Sequence, residues 1–97
     1  MIEAAAEVVR ASRFELVDSE GHVRAALTLD GDGNPGLSFS DAQGNVRASL
    51  VLGQEGIPCL NLMGKTGTVR ASLGFGSDWR VQLVLSDANS QVIWSAP

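Results

Sequence analysis

A motif of seven residues recurs three times in this chain at a fixed spacing. It reads GHVRAAL at residues 21–27, GNVRASL at 44–50 and GTVRASL at 67–73, so each copy begins 23 residues after the one before. A fixed period of about 20 to 50 residues is typical of repeat architectures, because one supersecondary unit cannot bury its apolar side chains alone. The repeat therefore constrains the fold before any single residue suggests a function.

The repeated unit follows the pattern D-x-x-G-x-V-R-A-x-L-x-L, and a glycine-rich connection and a second short apolar segment come after it. We predict units beginning near residues 18, 41, 64 and 87. They form a single β-repeat domain over residues 14–97, and residues 1–13 form an N-terminal extension and the lead-in to the first strand. The residues that define the units are Asp18, Gly21, Arg24, Asp41, Gly44, Arg47, Gly67, Arg70 and Asp87.

Apolar and polar residues alternate within each unit with the period of two that is typical of a β-strand. Longer alternating segments lie at 23–29, 46–52 and 69–75, and shorter ones lie at 14–16, 37–40, 60–63, 83–86 and 92–94. We predict an all-β fold, an antiparallel meander of about eight short strands built from hairpin repeats. The meander would close as a small barrel or join other copies in an oligomeric sheet assembly. A stacked solenoid is disfavoured, because it would align the three repeated arginines in one ladder of like charge.

The D-x-x-G segments predict tight hairpin turns, in which the aspartate accepts backbone hydrogen bonds and the glycine takes a positive φ. The simplest register then places Phe39 opposite Val46, and it places Arg24 opposite Glu15 as a charge pair across the strands. The alternative role for the repeated arginines is a shared binding stripe. We expect the other connections, at 30–36, 53–59 and 76–82, to be longer and more variable loops.

One predicted face of the sheet carries leucine, phenylalanine and valine side chains, and no predicted helix is long enough to cover it. The opposite face is only weakly polar, which suggests a second contact surface. Its interface candidates are Val51, Met63, Val84 and Ile93, and Trp79, in a predicted loop, is a further candidate. Because the edge strands also lack the lysines and prolines that discourage strand pairing, we expect a homo-oligomer. A trimer is the expected order, and another protein is a second possible partner.

Composition excludes several classes of function. Seven basic against eleven acidic residues give a net charge of −4, which disfavours a nucleic-acid partner. One cysteine and one histidine exclude an internal disulfide and leave little for metal or acid–base chemistry. We therefore expect neither an enzyme nor a cofactor. No apolar run approaches the length of a membrane span, so we expect no membrane insertion by this segment. The chain as written has no signal-peptide pattern and would be cytoplasmic, but the sequence leaves its location open.

A weak calcium-binding pattern lies in the first long connection. Asp30, Asp32, Asn34 and Asp41 occupy positions 1, 3, 5 and 12 of a calcium loop. However, Pro35 stands where such a loop requires glycine, and no helices are predicted to flank it. We interpret the segment as an acidic turn and keep calcium as the alternative.

The D-x-x-G-x-V-R-A-x-L units, with the ending V-I-W-x-A-P at residues 92–97, resemble a family of short, uncharacterised bacterial β-repeat proteins. The resemblance covers the chain from Phe14 onward. It implies a β-repeat module and supplies no catalytic residue. Two functions stay open at this stage. One is a non-enzymatic structural or protein-interaction module that self-associates through its sheet, and the other is a small β-barrel that binds an apolar or carbohydrate ligand.

Overall fold

The computed structural model describes residues 7–97, and the strands in it form a single eight-stranded antiparallel sheet. Each strand pairs with the strands before and after it in sequence, so the predicted all-β meander of hairpins is confirmed. The strands are β1 (Arg13–Val17), β2 (Val23–Leu29), β3 (Pro35–Ser40), β4 (Val46–Leu52), β5 (Pro58–Met63), β6 (Val69–Phe75), β7 (Val81–Ser86) and β8 (Val92–Ala96), with a short 3₁₀ turn at Gln54–Gly56.

The sheet is open, with β1 and β8 as its two edges. A single chain is therefore an open sheet, not a closed barrel. Of the predicted N-terminal extension, residues 1–6 lie outside the described residues, and residues 7–12 are exposed and precede the sheet. No helix within residues 7–97 is long and apolar enough to cross a membrane.

All seven connections share one backbone geometry. The first residue of each turn donates its N–H to the carbonyl of the fifth residue, and the fourth residue donates its N–H to the carbonyl of the first. The first residues are Asp18, Asp30, Asp41, Gly53, Gly64, Gly76 and Asp87. The expectation that the connections at 30–36, 53–59 and 76–82 are longer is therefore wrong. Their sequences differ, but their main-chain hydrogen bonds match those of the D-x-x-G turns.

A β-bulge follows every second turn. In the pairing of β3 with β4, Ser40 lies opposite Val46 and Phe39 lies opposite Ala48, which leaves Arg47 as an extra residue between them. An extra residue on one strand is the definition of a bulge, and it bends the strand and redirects a side chain. The residues in the equivalent position of the other three bulges are Arg24, Arg70 and Ile93. Each repeated arginine is thus the extra residue of a bulge.

The bulges overturn the predicted register. Phe39 pairs with Ala48 and not with Val46, and Glu15 pairs with Ala26 and not with Arg24. A register counted outward from the turn, with every residue paired, has no place for the extra residue. The valine before each bulge also leaves the predicted apolar face, because it pairs with a residue that alternates with that face. These valines are Val23, Val46, Val69 and Val92.

The register gives the sheet two distinct faces. The apolar face consists mainly of two rows that cross all eight strands. Its leucine row is Phe14, Leu27, Leu37, Leu50, Leu60, Leu73, Leu83 and Ala96, and its mixed row is Leu16, Ala25, Phe39, Ala48, Leu62, Ala71, Leu85 and Trp94. The central row of the polar face is Glu15, Ala26, Ser38, Ser49, Asn61, Ser72, Val84 and Ser95.

The fourth residue of every turn has a positive φ, and in the last turn this residue is Ser90, at 65°. An L-residue in the left-handed region costs about 1–2 kcal/mol, whereas glycine adopts it freely. Ser90→Gly should therefore stabilise the protein by about 0.5–1 kcal/mol, measured as a higher urea midpoint at fixed protein concentration. Ala88→Gly, two residues earlier at a position without a positive φ, is the control and should not raise the midpoint. Equal midpoints for Ser90→Gly and the unmodified protein would contradict this interpretation.

Candidate interaction surface

The apolar face is uncovered in the single chain. Within residues 7–97 no large side chain is fully buried, and the two buried residues, Ala26 and Ser49, are small and lie on the polar face. On the apolar face, Leu50 is 50% exposed and Leu62 is 49% exposed, although both lie on central strands. A folded chain of this size normally buries its leucines in a core. Here the leucines lie on an apolar surface that residues 7–97 leave uncovered.

The size of the molecule leads to the same conclusion. Its accessible surface is 7347 Å², whereas a compact protein of 10.2 kDa exposes about 5,300 Å². Its radius of gyration is 16.4 Å, against about 12.5 Å for a compact domain of this length. Part of the excess surface belongs to the exposed residues that precede β1, and the apolar face supplies much of the rest. The chain has the dimensions of one layer of a layered fold.

The apolar face has depressions between its side chains. One, of about 280 Å³, is lined by Leu50, Leu60, Leu73, Phe75 and neighbouring residues of β5 and β7. A second, of about 250 Å³, is lined mainly by Phe14, Leu16, Ala25, Leu27 and Leu37. When two sheets pack face to face, the side chains of one fill such spaces on the other, with the sheets about 10 Å apart.

The five interface candidates from the sequence divide into two groups. Val51, Met63 and Val84 are half-buried. Val51 pairs with Gly36, and its methyl group lies 2.9 Å from where a Cβ on that glycine would stand, so it is covered locally. The other two are exposed, Trp79 at 54% beside the Phe75 ring and Ile93 at 64% on the edge strand. They stay candidates for a second contact, outside the two rows of the apolar face.

The repeated arginines hydrogen-bond to the backbone of the neighbouring strand or turn. Arg24 Nε donates to the Ser40 carbonyl at 2.9 Å, and Arg70 Nε donates to the Ser86 carbonyl at 2.7 Å. Arg47 Nη1 donates to the Gly64 carbonyl, and its Nε donates to Asp41 Oδ2 at 3.0 Å. Each of the three bulges with an arginine thus directs its side chain onto the end of a neighbouring strand or turn. These contacts support the structural role of the arginines over a shared binding stripe.

The turn aspartates act as caps. Asp30 Oδ1 accepts the N–H groups of Asp32 and Asn34 at 2.9 and 3.0 Å. The same pair of bonds forms at Asp18 and Asp41. These hydrogen bonds to the carboxylate hold the pKa of all three groups below the ordinary value of 3.8. The bond from the fifth residue of each turn has the largest effect on the pKa.

The lowered pKa values predict acid sensitivity. A carboxyl whose pKa is lower in the folded state stabilises the protein above its unfolded pKa, and this contribution disappears as the pH falls through the folded value. The urea midpoint should therefore stay level between about pH 7 and pH 5, and it should drop below about pH 4, the range in which free aspartate titrates. A midpoint that rises below pH 4 would contradict the capping role.

The first acidic turn offers a matched pair of substitutions. Asp30→Ala should lower the urea midpoint at pH 7, because it leaves the N–H groups of Asp32 and Asn34 without their acceptor. Asp32→Ala, in the same turn, is the control, because only its backbone N–H takes part in the cap. The two variants should differ at pH 7 and converge only when the pH falls below the lowered pKa of the Asp30 carboxyl, where the cap is protonated. Equal midpoints at pH 7 would contradict the role given to Asp30.

The calcium-loop pattern is not assembled in the fold. Asp30, Asp32 and Asn34 share one turn, but Asp41 begins the turn at the other end of β3. A six-residue strand is about 20 Å long, so Asp41 cannot reach an ion held at Asp30. Among residues 7–97, no three histidine, cysteine, aspartate or glutamate side chains cluster closely enough to hold a metal ion. The acidic turn is explained by its capping hydrogen bonds.

Comparison of the sequence with models of known protein families and with curated proteins found no match. The functional inference therefore depends on the surfaces of the molecule. Of these, the apolar face stands out, because it crosses all eight strands and carries most of the exposed large apolar side chains. A contiguous exposed apolar surface of this extent is typical of an interaction site.

Proposed function

We propose that this protein is a non-enzymatic structural or protein-interaction module that self-associates through its β-sheet, with the apolar faces of its copies covering one another. The observation that carries the proposal is the uncovered apolar face, where central residues such as Leu50 are half exposed. A sheet with one apolar face must bury that face against another layer. Within residues 7–97 the chain has no helix or second sheet that could serve as that layer.

The area of the face fits a protein partner. Eight strands of five to seven residues, spaced about 4.8 Å apart, cover about 750 Å². A stable protein–protein interface buries about 800 Å² on each partner. A second sheet of the same size can therefore cover the face completely.

The composition of the face favours a copy of the same chain as that partner. Neither row of the apolar face contains a charged residue, and homo-oligomer interfaces are the most apolar class of interface. The apolar face of a second copy has the same number of strands and the same strand lengths, so the two faces match in size. We expect a trimer whose apolar faces turn towards the common axis. Two copies stacked face to face would bury the same side chains.

Trp94 is a built-in reporter of this contact, because it lies in the mixed row of the apolar face and is 50% exposed in the single chain. In a Trp79→Phe background, Trp94 should be protected from acrylamide quenching at high protein concentration and should lose that protection on dilution. The reciprocal variant Trp94→Phe retains Trp79 and controls for general quenching. Free access of acrylamide to Trp94 at every concentration would contradict the proposal.

A further inference from the structure

The eight strands are of two alternating types. We call β2, β4, β6 and β8 A-strands, since they follow the bulged turns, and β1, β3, β5 and β7 B-strands. Each internal A-strand has a bulged pairing with the B-strand before it and a regular pairing with the B-strand after it. At the two edges, β8 is an A-strand without a following B-strand, and β1 is a B-strand without a preceding A-strand. The two edges are therefore complementary.

The internal pairs define how these edges would fit together. In the regular pairings, Ala71 lies opposite Leu85 and Leu73 lies opposite Leu83, and the equivalent residues 46 positions earlier pair in the same way. If the same register is applied to β8 of one copy and β1 of another, Trp94 lies opposite Leu16 and Ala96 lies opposite Phe14. It also places Ser95 opposite Glu15 on the polar face.

We propose that β8 of one copy pairs antiparallel with β1 of the next copy in this register, so that the assembly is held at its edges as well as through its apolar faces. The inference rests on the self-association proposed above and specifies the partner of each edge. Both edge strands are almost entirely exposed along their length. An open edge of unpaired backbone groups is a ready site for strand addition.

We call the contact between β8 of one copy and β1 of the next the seam. The side chains at this seam agree with the register. It joins Phe14 to Ala96 and Leu16 to Trp94, so the two rows of the apolar face continue without interruption from one copy to the next. On the polar face, the charge of Glu15 is already paired with Arg13 of the same strand at 2.5 Å, so the seam would not place an unpaired carboxylate against Ser95.

The bulge position supports the seam independently. Inside the sheet, the bulge arginine donates to a backbone carbonyl at the end of the next strand, as Arg70 does to Ser86. At β8 the same position is Ile93, which is 64% exposed. Its counterpart on the next copy would be Val17, 47% exposed. The one bulge without an arginine thus lies where two exposed apolar side chains would meet.

The direction of the strands allows the seam to close. β1 and β8 run in opposite directions in one meander, so rotation of a second copy about an axis along the strands brings β8 antiparallel to β1. Such a head-to-tail contact generates a closed ring when the rotation completes a circle. A ring leaves no edge strand free to pair with further molecules, which removes the aggregation hazard of two open edges.

The test is disulfide trapping between two single-cysteine variants in a Cys59→Ser background. Glu15→Cys and Ser95→Cys are unfolded together in denaturant, refolded as a mixture and oxidised. Directly paired strand positions lie about 5.5 Å apart at Cα, within disulfide range.

The matched control mixes Arg13→Cys with Ser95→Cys, because that diagonal pair lies about 7–8 Å apart and outside that range. Circular dichroism and solution mass confirm that each variant folds and assembles. If one of them does not, Phe14→Cys with Ala96→Cys probes the same register.

We expect a mixed disulfide dimer of twice 10.2 kDa from the Glu15→Cys and Ser95→Cys pair, at least tenfold more abundant than from the diagonal control. Oligomers that give no mixed dimer, or only dimers of one variant with itself, would overturn the seam and leave self-association intact. A chain that carries both cysteines and cross-links only within itself would also overturn it. A monomeric mass before oxidation would overturn the proposed function itself, so the two failures are distinguishable.

Discussion

Leu50→Lys should raise the dissociation constant of the assembly by at least about 100-fold. Leu50 lies in the leucine row on central strand β4, between Leu37 and Leu60. Covering the exposed half of such a side chain contributes about 1–1.5 kcal/mol per copy, and its loss is repeated in every subunit. A buried ammonium adds a further desolvation cost, and about 1.4 kcal/mol corresponds to a tenfold change in affinity. Light scattering against protein concentration measures the change.

The matched control is Gln82→Lys, which places the same charge on an exposed position of the polar face of β7. It should leave the mass unchanged. If Gln82→Lys dissociates the assembly and Leu50→Lys does not, the contact lies on the polar face, where Val51 and Met63 are the residues to replace next. If neither substitution changes the mass, the apolar face is not the contact.

Arg47→Ala should be the most destabilising substitution among the three bulge arginines. Arg47 is the best connected of them, with bonds to the Gly64 carbonyl and to the Asp41 carboxylate. Its charge-assisted bond to the carbonyl alone contributes about 1–2 kcal/mol, since the side chain is 33% exposed and therefore partly screened. Urea unfolding at fixed protein concentration should show this loss as a lower midpoint.

Two further variants test the reason given for this effect. Arg70→Ala removes a single bond, to the Ser86 carbonyl, from an exposed side chain and should cost less than Arg47→Ala. Arg47→Lys keeps the charge, but its single nitrogen replaces the Nε and Nη1 groups that reach Asp41 and Gly64 separately, so it should recover only part of the loss. Equal midpoints for Arg47→Ala and Arg70→Ala, or full recovery by Arg47→Lys, would contradict the bonding described here.

Much of the fold is readable from the sequence. The alternation at 23–29, repeated at 46–52 and 69–75, predicts β2, β4 and β6 with the bounds observed in the structure. Period-two patterns are reliable here because each strand has one apolar face and one polar face, and this alternation is the physical signature of a half-buried strand. The fixed period then gives the order of strands, because short connections force neighbouring strands to pair.

The register was not readable, because a bulge leaves no mark in the alternation. Val46 and Arg47 continue an apolar–polar pattern, although in the folded sheet Arg47 has no partner on the neighbouring strand. The common geometry of the turns was hidden for a related reason. Asp30 and Gly53 can both begin the same turn, since its main-chain hydrogen bonds do not depend on the side chain. One signal was available in the sequence, because a glycine three residues after the turn start recurs at Gly33 and Gly56.

The complementarity of the two edges required the register and therefore the structure. The sequence shows that β8 repeats the start of a unit, but Trp94 can be placed opposite Leu16 only once the internal pairs are known. The uncovered apolar face likewise follows from the open sheet. A closed barrel with the same alternation would bury the same leucines inside a single chain.

The most direct test of the central claim is the solution mass of the unmodified protein, measured by light scattering after size exclusion over a range of concentrations. We predict a whole-number multiple of 10.2 kDa, with three copies as the expected value, and dissociation only at the lowest concentrations. A single species of 10.2 kDa at every concentration would contradict self-association.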